Sequence, residues 1–156
     1  MINERTWKEG EDLARLHMKQ LGYKIITNNF HGKIVELDIV AEFSKHKQAK
    51  KLKQEYRQKM RKASSAEERH ALMKCFALER KELKNILIIT EVKARRTDEF
   101  GTGLESITKR KRQKLFLGAK FLSSMKKYKD HIIRFDVAGV DDGKVTYVEN
   151  AFDVKN

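Results

Sequence analysis

The chain has 156 residues, 40% hydrophobic and 37% charged, with a formal net charge of +13. That length suits one domain with its own core, and the charge predicts a polyanionic partner: nucleic acid, an acidic membrane surface or a ribosome. Cys75 is the single cysteine, which excludes an intrachain disulfide and a Cys-based zinc site; with no apolar run near the roughly 18 residues of a membrane span and no apolar leader after Met1, the expected location is cytoplasmic.

Thr6-Trp7-Lys8-Glu9 has the form of a capping box, so a first helix is predicted from about Trp7 to Leu21, stopped by Gly22. Trp7, Ala14, Met18 and Leu21 fall on one stripe, with Leu13 beside it. Glu11 shares that stripe, where a carboxylate is costly unless paired. It is either a rim residue reaching solvent or a group aimed at a metal or substrate.

Tyr23 to Phe30 reads as a strand, followed by a turn at His31-Gly32-Lys33. From Ile34 to Ala41 apolar and acidic residues alternate. Val35, Leu37, Ile39 and Ala41 are expected on one face, and Glu36 and Asp38 on the other.

Residues 45–84 hold fourteen Lys and Arg, five Glu, no Asp and no Gly. That is +9 of the total +13, leaving +4 for the other 116 residues. A second capping box at Ser65-Ala66-Glu67-Glu68 divides the stretch into helices of about 46–62 and 66–83. Leu52, Tyr56 and Met60 on the first can face Leu72 and Phe76 on the second, making a helical hairpin with a basic outside. Such charge either coats a solvated surface or binds phosphate backbones; contacts with another protein, including a second copy, are a further reading. Cys75 is expected as a small buried residue of this insert.

Ile86-Leu87-Ile88-Ile89 opens a strand short and apolar enough to lie in the sheet centre, covered on both faces. Leu87, Ile89, Glu91 and Lys93 line one side of it. Glu91 and Lys93 stand where the apolar run ends: either an ion pair at a strand mouth, or a carboxylate ligand for a hard cation with an ammonium beside it. Gly101-Thr102-Gly103 lacks the third glycine of a dinucleotide loop and is set aside. A helix follows from about Leu104 to Tyr128, its start dense with Lys109, Arg110, Lys111, Arg112 and Lys114. Ile132 to Val140 and Lys144 to Glu149 are strands joined by a turn at Asp141-Asp142-Gly143, and Phe152 folds its ring back onto the sheet. The order, helix, strand, strand, helical insert, strand, helix, strand, strand, predicts an α/β fold with a mixed central sheet flanked by helices.

Asp38 followed by Glu91-Val92-Lys93 resembles the Asp…(Asp/Glu)-x-Lys signature of the restriction-endonuclease-like nucleases. Glu11 on the preceding helix is similar to the extra acidic residue of the Holliday-junction-resolvase-like branch. Gly10-Glu11, Gly22-Tyr23, Asn29-Phe30, Glu36-Leu37-Asp38-Ile39, Glu91-Val92-Lys93-Ala94-Arg95, Phe100-Gly101, Lys111, Arg134-Phe135-Asp136-Val137 and Asn150-Ala151-Phe152 come in the order of the small bacterial YraN-like (UPF0102) family, and the chain resembles that family throughout except at residues 45–84. It departs from the family pattern at His31, where Arg is usual, and at Val35, where Gly is usual.

The resemblance implies a restriction-endonuclease-like core spanning residues 1–156, interrupted by the basic insert. It implies a Mg²⁺- or Mn²⁺-dependent endonuclease that hydrolyses phosphodiester bonds in nucleic acid, DNA rather than RNA, including branched or structured DNA. Asp38, Glu91 and Glu11 would be metal ligands, Lys93 the catalytic ammonium, and Arg95, Lys109, Lys111 and Arg112 contacts to nucleic acid. Glu36 is a weaker candidate. The alternative is a non-catalytic nucleic-acid or ribosome-associated binding protein that keeps a nuclease-like fold.

Overall fold

The computed structural model describes residues 4–32, 35–95 and 107–153. Within them the chain runs α1 (Glu4–Gln20), β1 (Lys24–His31), β2 (Glu36–Phe43), α2 (Lys45–Lys62), α3 (Ala66–Glu82), β3 (Ile86–Arg95), α4 (Lys109–Ser124), β4 (Ile132–Asp141) and β5 (Lys144–Val148). The five strands form one sheet in the order β1-β2-β3-β4-β5. Only the β3–β4 pair is parallel, as befits two strands joined by a crossover that contains α4.

The sheet is covered on both faces. Ala14 and Met18 of α1 pack with Ile39, Ile88 and Val92 on one side, while Leu115, Ala119 and Leu122 of α4 pack with Leu87 and Ile89 on the other. The alternation along β3 is therefore as read from its sequence, and its apolar run is buried from Leu87 to Ile89. Two glycines set how closely the helices sit. A Cβ at Gly10 would lie 2.9 Å from Ala94 Cβ, and one at Gly118 would lie 2.7 Å from Val35 Cγ1 and 2.8 Å from Leu37 Cδ2. Phe152 stacks on Phe135 at 5.2 Å between centroids, as expected.

Several boundaries move. Helix α1 begins at Glu4, so Thr6 lies inside it rather than capping it. Trp7 and Leu21 are at the exposed margin of the stripe rather than in the core; Gly22 takes the left-handed conformation that ends the helix. Helix α4 starts only at Lys109, with Thr108 as its N-cap, and ends at Ser124. Ile107 is buried but not helical, while the expected start at Leu104 and the Gly101–Gly103 stretch lie outside the described residues. In β2, Leu37 packs on the α4 side while Ile39 and Ala41 pack on the α1 side, so the single-face assignment for these residues is corrected. The change of side falls where the β2–β3 pairing ends, at Ile39↔Thr90.

The insert folds as two helices. Ser65 caps α3 and accepts a hydrogen bond from Glu68 N, and Glu68 Oε2 accepts from Ser64 N and Oγ rather than closing the box on Ser65. The rings of Tyr56 and Phe76 meet at 5.3 Å across the helix pair. Cys75 is exposed, not buried: the α2–α3 contact is narrow, and no residue of α3 is buried.

Candidate functional site

Strand β2 pairs with β3 from Phe43↔Ile86 to Ile39↔Thr90, whereas its pairing with β1 continues to His31↔Glu36. Beyond Ile39 the β2–β3 backbone ladder gives way to a side chain. Asp38 Oδ2 accepts a hydrogen bond from Val92 N at 2.8 Å. A buried backbone N–H must find an acceptor, and here a carboxylate supplies it. This fixes Asp38 at the mouth of β3, beside Glu91.

The Glu91 side chain is 3% exposed and stands between two ammonium groups. Lys93 Nζ is 3.0 Å from its Oε1, and Lys111 Nζ, from the first turn of α4, is 2.9 Å from its Oε2. Among the described residues the buried Oε2 meets the Lys111 ammonium and no other donor. Burial and the neighbouring Glu91 charge push the Asp38 carboxyl up to about 7, with Glu11 adding to the shift, while the Val92 N–H and Lys111 work against it. Burial opposes protonation of Lys111, but its contact with Glu91 and the charges of Asp38 and Glu36 outweigh that and raise its pKa.

Glu11 lies one residue past Gly10, where α1 crosses β3 most closely, and accepts a hydrogen bond from Asn29 Nδ2 at 3.0 Å. Asn29 itself has φ 47°, a left-handed conformation that Asn tolerates better than other residues with a Cβ. Asn29 is not among the residues expected at the site; its place opposite Asp38 in the β1–β2 register is the signal that points to it. The fold thus brings Asp38, Glu91, Lys93 and Lys111 to one sheet end, with Glu11 close enough for its charge to act on Asp38. Among the described residues no three His, Cys, Asp or Glu side chains gather into a metal-holding group. Glu36 is exposed and faces His31, 3.7 Å away.

The expected phosphate contacts divide. Thr108 Oγ1 accepts from Lys111 N at 3.2 Å, capping α4, and no acidic residue occupies the first turn. Cations at the positive end of a helix dipole are unfavourable unless an anion arrives. Lys109 is exposed. Arg112 donates from Nε to Ile107 O at 3.1 Å and lies over the Phe152 ring, which makes it a brace for the helix start. The side chain of Arg95 lies outside the described residues. A second cluster, unassigned from sequence, braces the other face. Arg134 donates to both oxygens of the fully buried Asp136, which also accepts from Tyr147 Oη and Asn150 N.

With this geometry in place, comparison with known proteins is informative. The sequence model described as "Uncharacterised protein family UPF0102" matches residues 10–140. The chain belongs to the UPF0102 family. A UPF0102 protein of Thermodesulfovibrio yellowstonii is similar at 31% identity, covering 93% of each chain. One from Sulfurihydrogenibium sp. is similar at 26%, covering 93% of this chain and 91% of its own, and one from Clostridium acetobutylicum at 24%, covering 98% of both. The match to the UPF0102 model includes every residue of the acidic site. No described helix is long and apolar enough to cross a membrane.

The donor set can be tested against a divalent cation. Asp38 and Glu91 offer hard carboxylate oxygens, with Asp38 Oδ2 on Val92 N and Glu91 Oε2 buried against the Lys111 ammonium 2.9 Å away. Mg²⁺ is commonly held by one or two carboxylates while keeping several waters, so a two-carboxylate site meets its needs without a third protein ligand. The residues fit.

Proposed function

We propose that this UPF0102 protein is a metal-dependent nuclease that hydrolyses phosphodiester bonds in DNA, with Asp38, Glu91 and Lys93 at its centre. The observation that carries the reading is the Asp38–Val92 hydrogen bond beside the Glu91–Lys93 pair. It places two carboxylates and an amine at one mouth of the sheet.

A Mg²⁺ or Mn²⁺ ion held by Asp38 and Glu91 would polarise a phosphoryl oxygen and acidify a bound water. Val92 N–H orients the Asp38 carboxylate, leaving Oδ1 free of that bond. Lys93, held by Glu91, is positioned to orient the attacking water or to neutralise charge developing on the phosphorane. Lys111 balances Glu91 and presents a cation to phosphate from the start of α4, with Lys109 beside it. Glu11, restrained by Asn29, acts on the site through its charge or an intervening water.

The test is cleavage of plasmid, linear duplex, flap and four-way-junction DNA with Mg²⁺ or Mn²⁺. Wild type is expected to cut at least one substrate, and Asp38→Asn and Lys93→Ala to lose at least a hundredfold in rate. Cleavage by both variants at the wild-type rate would sink the proposal.

A second reading, a non-catalytic nucleic-acid-binding protein, draws on one observation: Glu91 is already neutralised by two lysines, and no three-residue metal group forms among the described residues. Binding that persists in EDTA without turnover on any substrate would favour it.

A further inference from the structure

The excess charge of the insert is not spread over both helices. Helix α2 carries nine Lys and Arg against Glu55 alone, while α3 carries four basic and four acidic residues. At 100° per residue, taking Tyr56 as the direction of α3, Lys50, Lys51, Gln54, Gln58, Arg61 and Lys62 lie 120° or more from it, with Arg57 and Glu55 at the two edges, 100° to either side; Lys50, Arg57 and Arg61 also border the clefts between α2 and α3 beside Phe76. All eight are exposed, none is apolar, and Glu55 is the one acidic residue among them. The apolar residues of α2 are spent on the other side, where Tyr56 meets Phe76 and donates a hydrogen bond to Glu79 at 2.6 Å. Among the described residues no carboxylate pairs with the five cations of this ridge. Arg57 and Arg61 form the one like-charge pair of the ridge at the i, i+4 spacing that weakens a helix, while Glu55 stands four residues after Lys51.

We infer that this ridge of α2 is a metal-independent binding surface for the sugar-phosphate backbone of a nucleic-acid duplex. Lys50 to Lys62 spans about 18 Å of helix, the axial length of about five base pairs at one phosphate per ~3.4 Å of each strand. A straight row of cations interleaved with glutamine donors suits that regular anion. The ridge itself carries no apolar residue for insertion into a lipid surface; the exposed Met73 and Leu78 lie on α3. The placement is separate from the acidic site. Helix α2 leaves the C-terminal end of β2 and α3 returns to the N-terminal end of β3, while Glu91 stands five residues further along that strand, about 17 Å away. The ridge therefore takes backbone without help from Asp38 or Glu91 and goes beyond the hydrolytic reading.

The experiment measures binding of the full chain to a fluorescent 20-base-pair duplex in EDTA at several salt concentrations. The variant is Lys50→Gln, Lys51→Gln, Arg57→Gln, Arg61→Gln and Lys62→Gln together, with its helix content checked by circular dichroism. Wild type is expected to bind with a slope of log K against log salt steeper than about −4, and the variant to lose at least tenfold in affinity and about four in slope. Binding is read in EDTA, which keeps this result distinct from any failure of cleavage, and Lys126→Gln with Lys129→Gln, exposed cations outside the ridge, is expected to bind like wild type. Equal binding by wild type and the folded variant would overturn the inference, as would tight binding to phosphatidylserine vesicles or polyglutamate with none to DNA.

Discussion

Asp38 Oδ2 accepts, at 2.8 Å, the hydrogen bond from Val92 N that a backbone carbonyl of β2 would otherwise accept. The carboxylate is thus a member of the sheet as well as of the site. Burial and the Glu91 charge raise its pKa from 3.8 to about 7. The folded protein then holds a proton that the unfolded chain releases, so this contribution to stability is full below about pH 4 and is lost as pH rises toward 7. Asp38→Asn keeps an acceptor for Val92 and removes the titration. The stability of the variant relative to wild type, in metal-free buffer, is expected to rise between pH 5 and pH 8 by up to a few kcal/mol, at about 1.4 kcal/mol per pKa unit. Urea denaturation of both proteins at the two pH values measures it; a constant difference would contradict the account.

Lys111 links α4 to the sheet through Glu91. Lys111→Met leaves that buried carboxylate with Lys93 alone and is expected to cost about 1–3 kcal/mol, less than the full loss of a buried pair because one cation stays. With Glu91→Gln already in place the same change should cost much less. A double-mutant cycle by urea denaturation gives the coupling, expected to be at least 1 kcal/mol.

Gly118 faces Val35 and Leu37 too closely for a methyl group. In an open helix Gly→Ala stabilises by about 1 kcal/mol, but here Gly118→Ala is expected to destabilise by about 1–3 kcal/mol through overpacking. Val35→Ala should relieve part of that penalty. Melting temperatures of the two single variants and the double variant decide whether the contact is the cause.

Asp136 is fully buried and held by Arg134, Tyr147 and Asn150. Arg134→Met strands a buried charge and should destabilise by about 3–5 kcal/mol, whereas Asp136→Asn with Arg134→Met should recover part of the loss. Urea denaturation of the single and double variants checks both.

Much of this was legible from residue order. The four-residue apolar run of β3, the Asp141-Asp142-Gly143 turn and the two insert helices follow from local pattern, and the UPF0102 motifs pointed to Asp38 and Glu91. What local pattern could not supply was the register. The flip of Leu37 to the α4 side depends on where β2 parts from β3, a tertiary event. Lys111 looked like a free phosphate contact because nothing near it in sequence revealed Glu91. Thr6 resembled a cap because a helix start is a weak signal when compatible residues precede it.

The insert joins the sheet at a narrow junction, with a further contact from Lys47 Nζ to Gly22 O. Lys45 N donates to Asn85 Oδ1, and Gln48 Nε2 bridges Phe43 O and Lys84 O, so the two chain ends are tied together where Phe43 already faces Ile86. A segment whose ends meet like this can be lengthened, shortened or exchanged without disturbing the strands that carry Asp38 and Glu91. Evolution is free there to change what the hairpin presents while the acidic end of the sheet stays as it is.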